Sequence, residues 1–260
     1  MRKVFMTIAA VMVAGAAFAE EVSAPAGPVF TGSIETELTQ NPTTDKLETE
    51  TTIGFGVAVE GVAYGNVSVE SIDGNTFEID EYVLGTKVGQ ADVSFGDRDG
   101  VFVEAVSDYA NLDEPAIAEN LQVKIAGLSV AAGFTDVQND AADISNVQAA
   151  YALSLPGFNI TASGDYNLDS EKYIVGGRVA SELGAGATVT YAEATEVVEF
   201  EVDYQAKGLL VYLNGDQDDV TQNVGAGYST NFNGLTLGAD VNYNFDSEDI
   251  TPRATVTFSF

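Results

Sequence analysis

Leu235-Thr236-Leu237-Gly238-Ala239-Asp240-Val241-Asn242-Tyr243-Asn244-Phe245 sets an apolar residue at every odd position and a polar or small one between. After a short acidic break, Ala254-Thr255-Val256-Thr257-Phe258-Ser259-Phe260 repeats the pattern and ends the chain on its apolar row. A period of two places opposite chemistries on the two faces of a strand. The same alternation runs upstream. Val198, Phe200, Val202 and Tyr204 oppose Glu199, Glu201 and Asp203, while Phe158, Ile160 and Ala162 oppose Asn159, Thr161, Ser163 and Asp165. Ile53, Phe55, Val57 and Val59 form a further row against Thr52, Gly54, Gly56 and Ala58.

Working outward, strands are expected near 29–38, 48–60, 62–72, 76–88, 90–96, 120–126, 128–135, 144–155, 157–167, 172–183, 185–192, 196–206, 208–214, 222–231, 234–245 and 250–260. That makes sixteen, or fourteen if the short runs 90–96 and 120–126 are partly loop. A soluble β-sandwich also alternates, and two features argue against one. Aromatic residues (Tyr151, Phe158, Tyr166, Tyr173, Tyr191, Tyr204, Tyr228, Tyr243 and Phe258) sit on the apolar rows near segment ends, as in the girdles of a membrane barrel. Short links such as Leu155-Pro156-Gly157 and Ala206-Lys207-Gly208 also take turns with longer acidic ones, such as 136–143, 214–222 and 246–249. Links of an up-and-down barrel fall alternately on its two rims, and outer-membrane barrels have short periplasmic turns and longer external loops. With both termini on the short-turn rim, the strand count is even and the sheet can close without an edge. The expected fold is therefore all-β: a transmembrane, antiparallel, up-and-down β-barrel of sixteen strands.

The composition fits a protein without chemistry of its own. The 260 residues include 40 Asp plus Glu against 10 Lys plus Arg, a net charge of −30, with no Cys and no His. Thiolate nucleophiles, Cys-based metal sites and imidazole bases are absent. The negative charge repels a phosphate backbone, which argues against nucleic acid as a partner. Met1-Arg2-Lys3, the apolar run to Phe18 and the small-x-small site Ala17-Phe18-Ala19 have the order of a secretory signal peptide. Residues 1–19 are read as that leader, 20–28 as a periplasmic segment and 29–260 as the barrel.

One connection stands apart. Residues 97–119 form the longest interruption, and connections of that length in a compact domain usually carry function. Its apolar residues Val101, Phe102, Val103 and Val106 would be buried by folding inward, leaving Asp97, Arg98, Asp99, Glu104, Asp108, Asp113, Glu114 and Glu119 to narrow the lumen.

With the leader, the terminal strand ending in Phe260 and the long third external loop opening at Gly96-Asp97, the chain resembles the general bacterial porins, in particular smaller acidic alphaproteobacterial members. The resemblance implies a homotrimer in the outer membrane of a Gram-negative bacterium. It also implies passive diffusion of small hydrophilic solutes through each protomer, with the third loop as the constriction and the outer-membrane lipid as surroundings. One departure is plain: such porins commonly set arginines on the wall opposite the loop, and here basic residues are few.

Parity assigns Glu35, Glu37, Glu48, Glu50, Lys87, Lys124, Arg178, Glu182, Glu199, Glu201, Asp203, Asp240 and Arg253 to the lumen face. Arg or Lys on a lipid face near the midplane costs roughly 2–4 kcal/mol, which drives these cations inward in a barrel. Arg253 is the wall residue best placed to oppose the loop; the alternative is that each cation pairs with a neighbouring carboxylate. Acidic linings favour cations, so a cation-preferring channel is expected, and a non-conducting structural or adhesive barrel is the alternative. The outer-loop carboxylates Asp216, Asp218 and Asp219 leave surface Ca²⁺ open, although Val220 and Gly227 break the EF-hand pattern. No cofactor is expected, and the Gly54-Phe55-Gly56 and Gly184-Ala185-Gly186 pairs lack the context of a phosphate cradle.

Overall fold

The structure is a computed structural model that describes residues 27–42, 46–72, 76–98, 100–106, 119–135, 143–218, 222–233 and 235–260. The leader 1–19 and most of 20–28 lie outside the described residues. The first strands are β1 (Val29–Asn41), β2 (Lys46–Val59), β3 (Ala63–Ile72), β4 (Glu78–Val88) and β5 (Ala91–Asp97). A one-turn-and-a-half helix, α1 (Val101–Val106), precedes β6 (Glu119–Ile125), β7 (Leu128–Thr135), β8 (Asp143–Leu155), β9 (Phe158–Asn167) and β10 (Lys172–Ser181). Then come β11 (Ala185–Ala192), β12 (Val197–Ala206), β13 (Leu209–Asp216), β14 (Asn223–Phe232), β15 (Leu235–Asn244) and β16 (Asp249–Ser259).

Every strand pairs antiparallel with its neighbours in sequence, and β1 pairs with β16, so sixteen strands close into a barrel. The closing register runs from Ser33 opposite Ser259 to Thr39 opposite Arg253. At its end the Gly32 N–H donates to the Phe260 carbonyl and the Phe260 N–H to the Gly32 carbonyl, both at 2.9 Å. The short runs near 90–96 and 120–126 are full strands, which excludes the fourteen-strand count.

Following register around the barrel divides each strand into two rows. Glu35, Thr52, Glu70 and their row-mates face inward; Ile34, Ile53 and Val69 face outward. Outward rows carry exposed aromatic residues: Phe30 and Phe55 on β1 and β2, and Tyr151, Phe158, Tyr204, Tyr228 and Phe258 on β8–β16. A belt of exposed large apolar side chains around a closed sheet is the surface of a barrel that faces lipid.

The links sort by rim. On the side of both termini each spans two or three residues, whereas on the other side each spans four to seven, apart from 98–118. The local cause of the tight side is left-handed backbone. Ala126 (φ 49°) with Gly127 (φ 85°), and Lys207 (φ 52°) with Gly208 (φ 83°), hold both central positions of a two-residue hairpin at positive φ. That is the turn whose twist matches a right-twisted strand pair. A Cβ on Gly208 would fall 2.1 Å from the Ser229 carbonyl oxygen, so position 208 requires glycine for space as well as for φ.

Ala126 is the weak residue of its turn, since a left-handed alanine is strained by roughly 1–2 kcal/mol. Ala126→Asn, which restores the favoured Asn-Gly pair, is expected to raise unfolding stability by about 1 kcal/mol. Urea titration of the detergent-refolded barrel reads this as a higher midpoint at unchanged slope.

Candidate functional site

The interior is built in two unlike halves. One is the seat of α1. The helix packs against β8, β9 and β10 and touches β7 and β11, inside the barrel. Val101, Phe102 and Val106 are each only 1% exposed. The wall makes room for them with small inward residues, Ala131, Ala150 and Gly176. A Cβ on Gly176 would approach Val106 Cγ1 and Thr190 Cγ2 to 3.0 Å each, so a larger residue there would press on the helix. The described stretch 100–106 of the third long link is therefore folded inward, and the water its apolar residues avoid supplies the driving force.

Beside these small residues lies a group of buried amides: Asn120 and Gln122 on β6, Asn146 and Gln148 on β8. They hold the loop by its backbone. Gln148 Oε1 accepts from the Phe102 N–H at 3.2 Å, and Asn120 Nδ2 donates to the Arg98 carbonyl at 2.7 Å. Asn146 Nδ2 in turn donates to Asp165 Oδ2 at 2.7 Å. Uncharged donors and acceptors suit a position that the helix dries, where an unpaired carboxylate would be costly.

The other half is a carboxylate wall on β1–β4. Glu37 pairs with Glu50 in register, Glu35 with Thr52, Thr52 with Glu70, and Glu70 with Glu78. A bulge between Val67 and Val69 sets two β4 residues opposite Ser68. Ser68 Oγ donates to Asp80 Oδ2 and accepts from the Glu81 N–H, both at 3.1 Å. An open cavity of about 800 Å³ runs along this half, with Thr31, Ser33, Asn66, Ser68 and Glu81 in its lining.

The cations of the wall each lie beside carboxylates. Arg253 Nε donates to Asp240 Oδ1 at 2.8 Å, and its NH1 lies 3.4 Å from Glu37 Oε2. Strands β16 and β8 are eight apart in a ring of sixteen, so Arg253 faces across the lumen toward the seat of α1, between two carboxylates. Arg178 NH1 lies 2.7 Å from Asp203 Oδ2 and 3.6 Å from Glu201 Oε1, and donates to Thr188 Oγ1 at 2.9 Å. Gly186 permits that approach, because a Cβ there would meet Asp203 Oδ2 at 2.4 Å. Lys87 and Lys124 flank Asp92 in register across β4, β5 and β6, and the Tyr64 hydroxyl donates to Asp92 Oδ1 at 2.8 Å.

Several expected positions come out differently. Glu35, Glu37, Glu48, Glu50, Lys87, Lys124, Arg178 and Arg253 lie on inward rows. Asp97 and Glu119, by contrast, are not loop residues: they end β5 and begin β6, paired with each other. Their row is that of Phe95, Leu121 and Phe134, the outward one, and the Tyr82 hydroxyl donates to Glu119. Strand parity at the rim overrides the assignment to the lumen. Glu182 falls in the turn 182–184, exposed, and not on the wall. Glu104 is a residue of α1, while Asp99, Asp108, Asp113 and Glu114 lie outside the described residues. Among the described residues no three carboxylates converge as a metal site. Asp216 uses its two oxygens within its own turn, on the Asp218 N–H at 2.7 Å and on Gln222 Nε2 at 2.6 Å. Sequence reasoning missed Glu70, Asp80, Glu81, Tyr64 and the buried amides. The amides had a signal, a run of uncharged polar residues at period two on β6 and β8.

Two substitutions separate these roles. Phe102→Ala removes the largest side chain from the helix seat, a change worth about 3–5 kcal/mol in a packed interior. It is expected to expose the third loop to proteolysis while the barrel itself stays resistant. Arg178→Met strands buried Glu201 and Asp203 and should destabilise the barrel by roughly 3–5 kcal/mol. The half-exposed Arg253→Met should cost about 1 kcal/mol or less. Denaturant titration of the two variants reads the contrast.

No protein-family profile matches the chain, and no curated protein matches it in sequence. Solved structures do match in shape. Two engineered variants of the Rh. blastica porin superpose with TM-scores of 0.64 and 0.65 at 14% and 13% identity, each covering 90% of this chain and 100% of theirs. A triple mutant of the Rhodopseudomonas blastica porin gives 0.61 at 12% identity over the same shares. Identity this low establishes the fold: a porin-like barrel of sixteen strands.

Proposed function

We propose that this chain is an outer-membrane diffusion channel for small hydrophilic solutes and ions, with a preference for cations. The observation that carries the reading is the carboxylate wall of β1–β4 beside an open cavity of about 800 Å³, where no arginine of the wall stands without a carboxylate partner. A low-dielectric wall lined by one sign of charge concentrates counter-ions, and rings of Asp and Glu favour cations in a pore. The absence of His and Cys from the sequence and the porin-like fold support a conduit over an enzyme. Residues 1–19 as a cleaved leader fit delivery to the outer membrane of a Gram-negative bacterium.

A homotrimer is the assembly this reading implies, and the outward face supports a protected side. Toward the long-loop rim the outward rows of β1 and β2 carry Thr36, Thr49 and Thr51, with Thr36 Oγ1 3.4 Å from Thr51 Oγ1. Outward Asp97 and Glu119 at the rim of β5 and β6 extend this polar side. Hydroxyl and carboxylate groups sit better against protein than against acyl chains.

A second reading has its own support. The burial of α1 in the lumen fits a barrel that the third loop plugs, serving as a structural or adhesive element. Planar-bilayer recording of the refolded protein decides between them, since a plugged barrel passes no ions. For a channel, the reversal potential in a tenfold KCl gradient is expected to take the cation sign. Replacing Glu35, Glu37, Glu50 and Glu70 together by Gln should move it toward zero. A chloride-selective potential in the unaltered protein would overturn the cation preference.

A further inference from the structure

The barrel's fixed charge is also sorted along its axis. On the long-loop rim, the three fully described links 168–171, 193–196 and 245–248 carry six carboxylates, Asp169, Glu171, Glu193, Glu196, Asp246 and Glu248, and no basic residue. Lys172, at the end of one of them, already lies 3.9 Å from Glu193. On the short-turn rim, the seven links carry only Glu60, Glu182 and Lys207. One layer in from that rim, Lys87 and Lys124 flank a single Asp92. One mouth is strongly anionic and the other is nearly balanced.

From this we infer that the channel rectifies: it passes more current when cations are driven from the long-loop mouth toward the short-turn mouth than in reverse. The inference rests on the channel reading and adds a direction to it. When the field drives cations inward from the long-loop side, anions move the opposite way and are stopped at the anionic mouth. They accumulate in the balanced half with accompanying cations, and conductance rises. Under reversed polarity the anionic mouth keeps anions from entering, the balanced half is depleted of both ions, and conductance falls. Without a field there is no net flux, as equilibrium requires. The effect depends on a screening length comparable with the pore, about 10 Å at 0.1 M salt and about 3 Å at 1 M.

The test is single-channel recording in symmetric KCl at 0.1 M and 1 M. Because the chain has no cysteine, Ser247→Cys with a membrane-impermeant thiol reagent added to one chamber identifies the side that the long-loop rim faces. At 0.1 M the current with that side positive is expected to exceed the reverse current by about 1.5-fold or more, approaching equality at 1 M. Replacing the six rim carboxylates by their amides should bring the 0.1 M ratio close to one while the channel still conducts. Equal currents at 0.1 M, a larger current of the opposite polarity, or a ratio unmoved by the six amides overturns the inference and leaves the channel standing. Absence of any current overturns both.

Discussion

Pairing of β1 with β16 is the contact without which none of the other features would hold. An open sixteen-stranded sheet would present two rows of unpaired N–H and C=O groups to lipid, each costing several kcal/mol. Closure removes both rows along the register from Thr39–Arg253 to Ser33–Ser259, next to which Gly32 and Phe260 exchange a reciprocal pair of hydrogen bonds. Gly32 has no side chain to compete, and the Phe260 ring lies over the space that a Cβ would occupy, at 2.5 Å. Once closed, the pleat sends alternate residues to lipid and to the lumen. A chain of net charge −30 with 45% hydrophobic residues can fold this way because the two populations occupy different faces.

The lumen shows how one surface serves two solvents. Where α1 lies, the wall is dry: small residues leave a recess, apolar residues fill it, and neutral amides hold the loop's backbone. Where α1 is absent, the wall is wet and carries carboxylates in adjacent register. The two wall arginines, Arg178 and Arg253, each lie beside two carboxylates, so they form no basic counter-wall. The charge that remains between the rims on β1–β3 is acidic.

Much of this was legible beforehand because β-structure writes its period into the sequence. The sixteen expected segments lie within three residues of the observed ends, since short links such as Leu155-Pro156-Gly157 and Ala206-Lys207-Gly208 mark them sharply. Parity failed where the ladder is irregular. Counted back from inward Lys87, parity sends Asp80 outward; the bulge opposite Ser68 returns it to the lumen. The long interruption expected over 97–119 takes in Asp97 and Glu119 at its ends, yet strand pairing runs on through both. Inward Tyr64 and Tyr212 rest over Gly85 and Gly225, partners that only the register brings opposite them.

By itself the sequence determined the strand type, the approximate strand ends, which rim each link belongs to and, wherever the ladder is regular, which face each charge takes. All of these are local or follow from period and parity. Tertiary structure decided what lies across the lumen: that α1 settles on β8–β10 and away from β1–β4, that Arg178 and Arg253 are already neutralised, and that an acidic wall stands beside open space. Those depend on which strands the closed ring sets opposite one another and on where small residues leave a recess. Neither is recorded within any one stretch of chain.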